Sequence, residues 1–187
     1  MGNGLTPKQK RIIKELDYIY SMLRMDYWNI KEYKFPKEEK TPILEFQKNQ
    51  TIRGEIVVQY TFIDEMLGCE ICKYFFGSSK SSIQLWKTKK FQNFNYHILE
   101  NLYLLQKLRL VQAFSRIPKN IVDDIERLNA LRNALTHALF PENLRRYKPV
   151  YKGKDIFTLE GIELFAEDMQ RVRVFFVKRL MGTGYLR

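Results

Sequence analysis

The sequence predicts an all-α fold, a four-helix bundle preceded by an N-terminal helical extension. Three observations carry that prediction. Apolar residues recur at spacings of three and four over long stretches, the period of an amphipathic helix. Prolines fall where those stretches begin or end. Only one short fragment, "KPVYKGKDIF" (148–157), combines β-prone residues with a turn, and it suggests a small hairpin before the last helix.

The first predicted helix covers 7–32, with Thr6 as N-cap and Pro7 at the first helical position. Ile12, Leu16, Ile19 and Leu23 form its stripe. "YKFPKEEKTP" (33–42) reads as a linker, which places an extension at 1–50 and the bundle at 51–187. A second helix is expected over 43–76, bent near Gly54, with Ile56, Tyr60, Ile63, Leu67, Ile71 and Tyr74 on one face. Residues 77–95, Gly- and Ser-rich and then basic with interleaved aromatics, are expected to be a long loop. A third helix follows from about 95 to 114. Pro118 opens a fourth that ends before Pro141. The last, 159–181, carries Ile162, Phe165, Met169, Val172 and Phe176 as a bundle seam.

Composition narrows the class. With 187 residues, 45% apolar and 28% charged, the chain is long enough to bury a core without disulfides or metal. Its net charge of +11 favours a polyanionic partner, nucleic acid or an acidic membrane surface, and equally serves plain solubility. No stretch has the roughly 18–20 apolar residues of a membrane span. The N-terminus lacks a secretion signal, and two cysteines make no extracellular framework, so a cytoplasmic protein is expected.

One segment carries unusual chemistry. In "ERLNALRNALTHALFPENLR" (126–145), Leu128, Leu131, Leu135 and Leu139 share one face. Arg132, Asn133, Thr136 and His137 form a polar sector on the other, with His137 one turn beyond Asn133. Ala130 and Ala134 lie beside His137, where small side chains would let another helix approach. A lone histidine near a helix C-terminus is ordinarily a dipole-compensating surface residue.

The order Arg132-Asn133-x-x-x-His137, late in the third helix of the bundle and followed by another amphipathic helix, resembles the Arg-x4-His motif of the HEPN superfamily. The resemblance spans about 50–181, and its specific part is six positions. It implies an endoribonuclease that needs no metal or cofactor, with two motifs meeting across a homodimer interface. His137 would serve as general base or acid toward the RNA 2′-OH, near its own titration range. Arg132 would stabilise charge on the phosphoryl oxygens, and Asn133 would position the ring or a phosphate. Thr136 and the basic Arg145, Arg146 and Lys148 are candidates for substrate contact. A toxin or antiphage setting, with an antitoxin protein as a further partner, is also implied. Relatives silenced by nucleotidyl transfer often carry Tyr two residues after the His; here that residue is Leu139, which weakens the case for that antitoxin. Glu126 and Arg127 precede the motif in a register that does not match the family's upstream residues clearly. The alternative is a catalytically inactive helical module that binds RNA, nucleotide or protein.

Other features have plainer readings. "GCEIC" (68–72) is a Cys-x-x-Cys inside a predicted helix with no second pair, so Cys69 and Cys72 read as buried thiols rather than a metal or redox site. His97 reads as structural. Lys87, Lys89 and Lys90 with Trp86 and Phe91, and the run Arg145, Arg146, Lys148, Lys152 and Lys154, would suit stacking and phosphate contact with single-stranded RNA, or simply solvated loops. Arg171, Arg173, Lys178 and Arg179 read as the solvent face of the last helix.

Overall fold

The computed structural model describes residues 37–77, 82–136 and 149–181. The helix expected over 7–32 lies outside the described residues. By backbone contacts the chain divides after Leu44, and only residues 37–44 of the first unit are described. The described elements are α1 (Lys37–Phe76), α2 (Ser82–Leu85), α3 (Lys89–His97), a 3₁₀ turn (Leu99–Asn101), α4 (Leu104–Phe114), α5 (Lys119–Thr136), β1 (Val150–Tyr151), β2 (Lys154–Asp155) and α6 (Leu159–Met181). The described chain is therefore mostly helical, with one two-stranded antiparallel sheet.

Three expected boundaries change. α1 starts at Lys37, so most of the expected linker 33–42 is helix, and the domain boundary placed at residue 50 falls inside it. The run Lys37-Glu38-Glu39-Lys40 consists of good helix formers, and Pro42 near the helix start removes only one intrahelical bond.

The expected loop over 77–95 contains α2 and most of α3. The Thr88 hydroxyl caps α3 by accepting from the Phe91 amide at 3.3 Å, and Phe91 is buried against Phe76. The interleaved aromatics are thus partly a helix face rather than a free stacking loop.

The single helix expected over 95–114 breaks at 98–103. The Gln106 side chain accepts from the Tyr103 amide at 2.8 Å and restarts the helix as α4. Leu99 of the 3₁₀ turn and Leu104 of α4 are both buried in the core.

The hairpin forms where expected, pairing Val150 with Asp155 and Tyr151 with Lys154. Lys152 (φ 48°) and Gly153 (φ 81°) both take left-handed backbone, the conformation of a two-residue turn that matches strand twist. α6 keeps its expected bounds, and Phe165, Met169, Val172 and Phe176 are buried. Near its start Gly161 lies under the carbonyl of Asp155, where a Cβ would come within 2.1 Å of the oxygen. Of the α1 stripe, Ile56, Ile63, Leu67 and Ile71 are buried, Tyr60 is half-buried and Tyr74 is exposed. The buried and half-buried side chains of α1 and α6 share one apolar core with α4, with α5 residues Ile121, Ile125, Leu128, Leu131 and Leu135, and with Tyr151 and Ile156 of the hairpin region.

Candidate functional site

The leucine stripe of α5 behaves as expected. Leu128, Leu131 and Leu135 are buried, which turns Asn133 outward and leaves Arg132 half-buried at the edge. The Arg132 guanidinium lies 5.0 Å from the centroid of the Tyr60 ring of α1 and donates to the Asn133 side-chain oxygen at 3.2 Å. Burial raises the Tyr60 phenol above its ordinary value against the opposing charge of Arg132, so the ring stays neutral beneath the cation.

One turn on, Arg53 of α1 donates to the Leu135 carbonyl at 3.2 Å, near the end of α5. Contacts pair Tyr60 with Arg132 and Arg53 with Leu135, so α1 and α5 run antiparallel here. Ala130 is exposed and Ala134 half-exposed, so this part of α5 keeps the accessible small-residue surface the sequence suggests. The backbone of Thr136 is helical. Its side chain, His137, Leu139, Arg145, Arg146 and Lys148 lie outside the described residues. Arg132 and Asn133 are therefore the members of the predicted site that the structure brings into contact.

Two turns upstream is a cluster that sequence reasoning missed. Asp124 is fully buried and takes Arg127 at 2.6 Å on one oxygen and Arg171 of α6 at 2.6 Å on the other. Arg171 also bonds Asp168, which accepts from the Tyr151 hydroxyl at 2.8 Å and pairs with Lys152 at 2.5 Å. Burial would raise the Asp168 carboxyl, but hydrogen bonds from Lys152, Tyr151 and Arg171 outweigh it and hold the group below its ordinary value. The Tyr151 phenol is pushed far above its ordinary value by burial and by Asp168. The network clamps α5, the hairpin and α6 together.

The signal was available in helical geometry. At about 100° per residue, Asp124 falls between Leu131 and Leu135 on the stripe that faces the core, where a carboxylate demands partners. Glu126 is exposed, while Arg127 turns back to Asp124. Arg171 is exposed, as expected of the solvent face, and its guanidinium also reaches two buried carboxylates. Arg179 likewise pairs with buried Glu70 at 2.9 Å and bonds the Ser115 hydroxyl. Long cationic side chains on a helix's outer face can still turn their charged ends inward, so exposure alone does not show which of them serve the core.

Cys69 and Cys72 lie on α1 and form no disulfide, one half-buried and one buried. Burial, with Cys69 close by, pushes the Cys72 thiol up to about 12, so it stays protonated and unreactive near neutrality. Both line a cleft of about 380 Å³ with Trp86 and the Asp64–Lys107 ion pair. Among the described residues no three His, Cys, Asp or Glu converge as metal ligands. His97 ends α3, exposed, with its ring edge-on to Tyr96. Among the described residues no helix is long and apolar enough to cross a membrane. Searches against family models, curated proteins and solved structures returned no match.

Proposed function

We propose that this chain is a HEPN-type endoribonuclease, built as a four-helix bundle and acting as a homodimer in a toxin–antitoxin or antiphage setting. The reading is supported by one arrangement above all. Arg132 and Asn133 are held in mutual contact on an accessible edge of α5, over Tyr60, in the sequence Arg-Asn-x-x-x-His. Among the described residues no carboxylate pairs with this guanidinium, so, braced on a neutral ring, it can face a phosphoryl group. His137 would move the proton of the 2′-OH or of the leaving 5′-oxygen. One histidine per motif supplies the acid or the base, so a second chain completes the pair. The exposed Ala130 and half-exposed Ala134 suit close helix approach at that contact.

The test is incubation of the purified protein with labelled tRNA and single-stranded RNA in EDTA, beside His137→Ala. Cleavage that leaves 2′,3′-cyclic phosphate ends, spares DNA and disappears in the folded variant is the expected result. Equal cleavage by the variant, or none by the parent across several RNAs, would sink the nuclease. In the latter case an inactive RNA-, nucleotide- or protein-binding module becomes the reading to pursue.

A further inference from the structure

Away from the Arg132 edge, the C-terminal end of α1 presents aromatic rings to solvent. Tyr74 and Phe75 are 59% and 52% exposed, far more than large aromatics in a core. Yet they are not loose. The Tyr74 ring lies flat on Phe114 of α4, with centroids 4.0 Å apart and planes 11° apart. Phe75 meets Tyr74 edge-on at 5.1 Å and Phe94 of α3 at 5.6 Å. Two χ angles each, fixed by neighbouring rings, leave little side-chain entropy to lose on binding.

Cations border these rings. Lys90 sits 5.8 Å from the Phe76 ring centroid, next along the aromatic row. Tyr74 and Phe114 form one side of a groove of about 500 Å³ that also holds Lys73, Ser115 and Arg179. The carboxylate lining that groove, Glu70, is buried and bound to Arg179. Lys73 donates to the Arg179 carbonyl at 3.0 Å and, as an ammonium, keeps two further donors.

We infer that this surface is a binding platform for single-stranded RNA, with bases stacking on Tyr74 and Phe75 and phosphates meeting Lys73 and Lys90. The inference rests on RNA being the substrate and adds a second contact region for it. Rigid exposed rings among cations are the composition of single-strand grooves. A protein interface core would be depleted in lysine. The net charge of +11 has the sign such a partner needs. Tyr60 and Tyr74 are fourteen positions apart on α1, about 21 Å along the axis and within about 40° of one another around it. A strand engaged at Arg132 therefore has the platform on the same side of that helix, and several nucleotides would span the two.

The experiment is fluorescence anisotropy with labelled oligo(A) and oligo(U) 12-mers at 50 and 200 mM salt. His137→Ala serves as the parent so that the probe stays intact. Tyr74→Ala and Phe75→Ala are expected each to weaken binding by at least about fivefold. Lys73→Gln with Lys90→Gln, which remove no ring, should weaken it further at low salt than at high salt. Far-ultraviolet circular dichroism checks that each variant is folded; if the Tyr74 variant is not, Phe75→Ala and the lysine pair decide. Unchanged affinity in the folded variants would overturn the platform. So would concentration-dependent self-association of the parent that the Phe75 variant loses without any loss of RNA binding, since the face would then be a protein interface. RNA cleavage by the wild type is a separate readout: its absence would sink the nuclease reading, while the anisotropy still decides the platform.

Discussion

The two ends of α5 carry arginines in opposite circumstances. Toward its start, Asp124 is wholly buried and draws Arg127 and Arg171 onto its two oxygens. Toward its end, Arg132 meets a neutral ring and an exposed amide. In the first place the guanidiniums neutralise an internal charge and join elements. In the second, no carboxylate among the described residues neutralises the cation, which is what binding an external anion requires. Burial of the partner, rather than residue type, separates a structural arginine from an available one.

The strongest way to break the contrast is Arg132→Ala. On the proposed mechanism, loss of a transition-state donor would cost about 10²–10³ in cleavage rate, while loss of a half-buried cation–π contact costs only about 0.5–1 kcal/mol of stability. Rate assays beside urea unfolding will show whether the two effects separate. Arg132→Lys should recover little activity, because an ammonium lacks the planar fork. A large stability loss with unchanged cleavage would place Arg132 with Arg127.

Asp124→Ala is the converse. It strips two cations of their shared carboxylate and is expected to destabilise by about 3 kcal/mol, the low end for a broken buried pair because both arginines are partly hydrated. A drop in the denaturation midpoint with cleavage per folded molecule unchanged would sharpen the comparison.

Gly161→Ala tests the other joint of the same clamp. The added methyl would sit 2.1 Å from the Asp155 carbonyl oxygen, so the hairpin must shift, at a cost of about 1–3 kcal/mol read by thermal unfolding.

The smallest effect is one of pH. Asp168 is held below its ordinary carboxylate value, so the unfolded chain binds its proton more readily than the folded one. Its contribution is complete above about pH 4 and fades as pH falls through the lower folded value. Acid titration of stability should therefore be shallower in Asp168→Asn, from a lower starting point.

How far the candidate site was legible follows from which face of a helix each residue occupies. Arg132 and Asn133 could be placed from the leucine stripe, because a stripe that must be buried forces its opposite sector outward. Asp124 could have been found by the same wheel, since a carboxylate among buried leucines requires partners. Which partners it finds could not. Arg127 is three residues away, but Arg171, which joins it to Asp168 and so to Tyr151, comes from an element that meets α5 only in the folded chain. Tyr60 looked like one more core residue until α5 laid Arg132 across it.

Local periodicity and turn chemistry alone determined the helical class, the bounds of α6, the Lys-Gly turn of the hairpin and the buried faces of α1 and α5. Those features depend on residues within a few positions of one another, so the chain states them directly. The tertiary structure decided the rest. It split the expected 95–114 helix, with Leu99 and Leu104 both buried in the core, and it made helix of most of the supposed loop by burying Phe91 on Phe76. It also drew Arg171 and Arg179 inward to buried acids. Each of those outcomes depends on which distant segment supplies the opposing surface, and spacing along a chain carries no record of that.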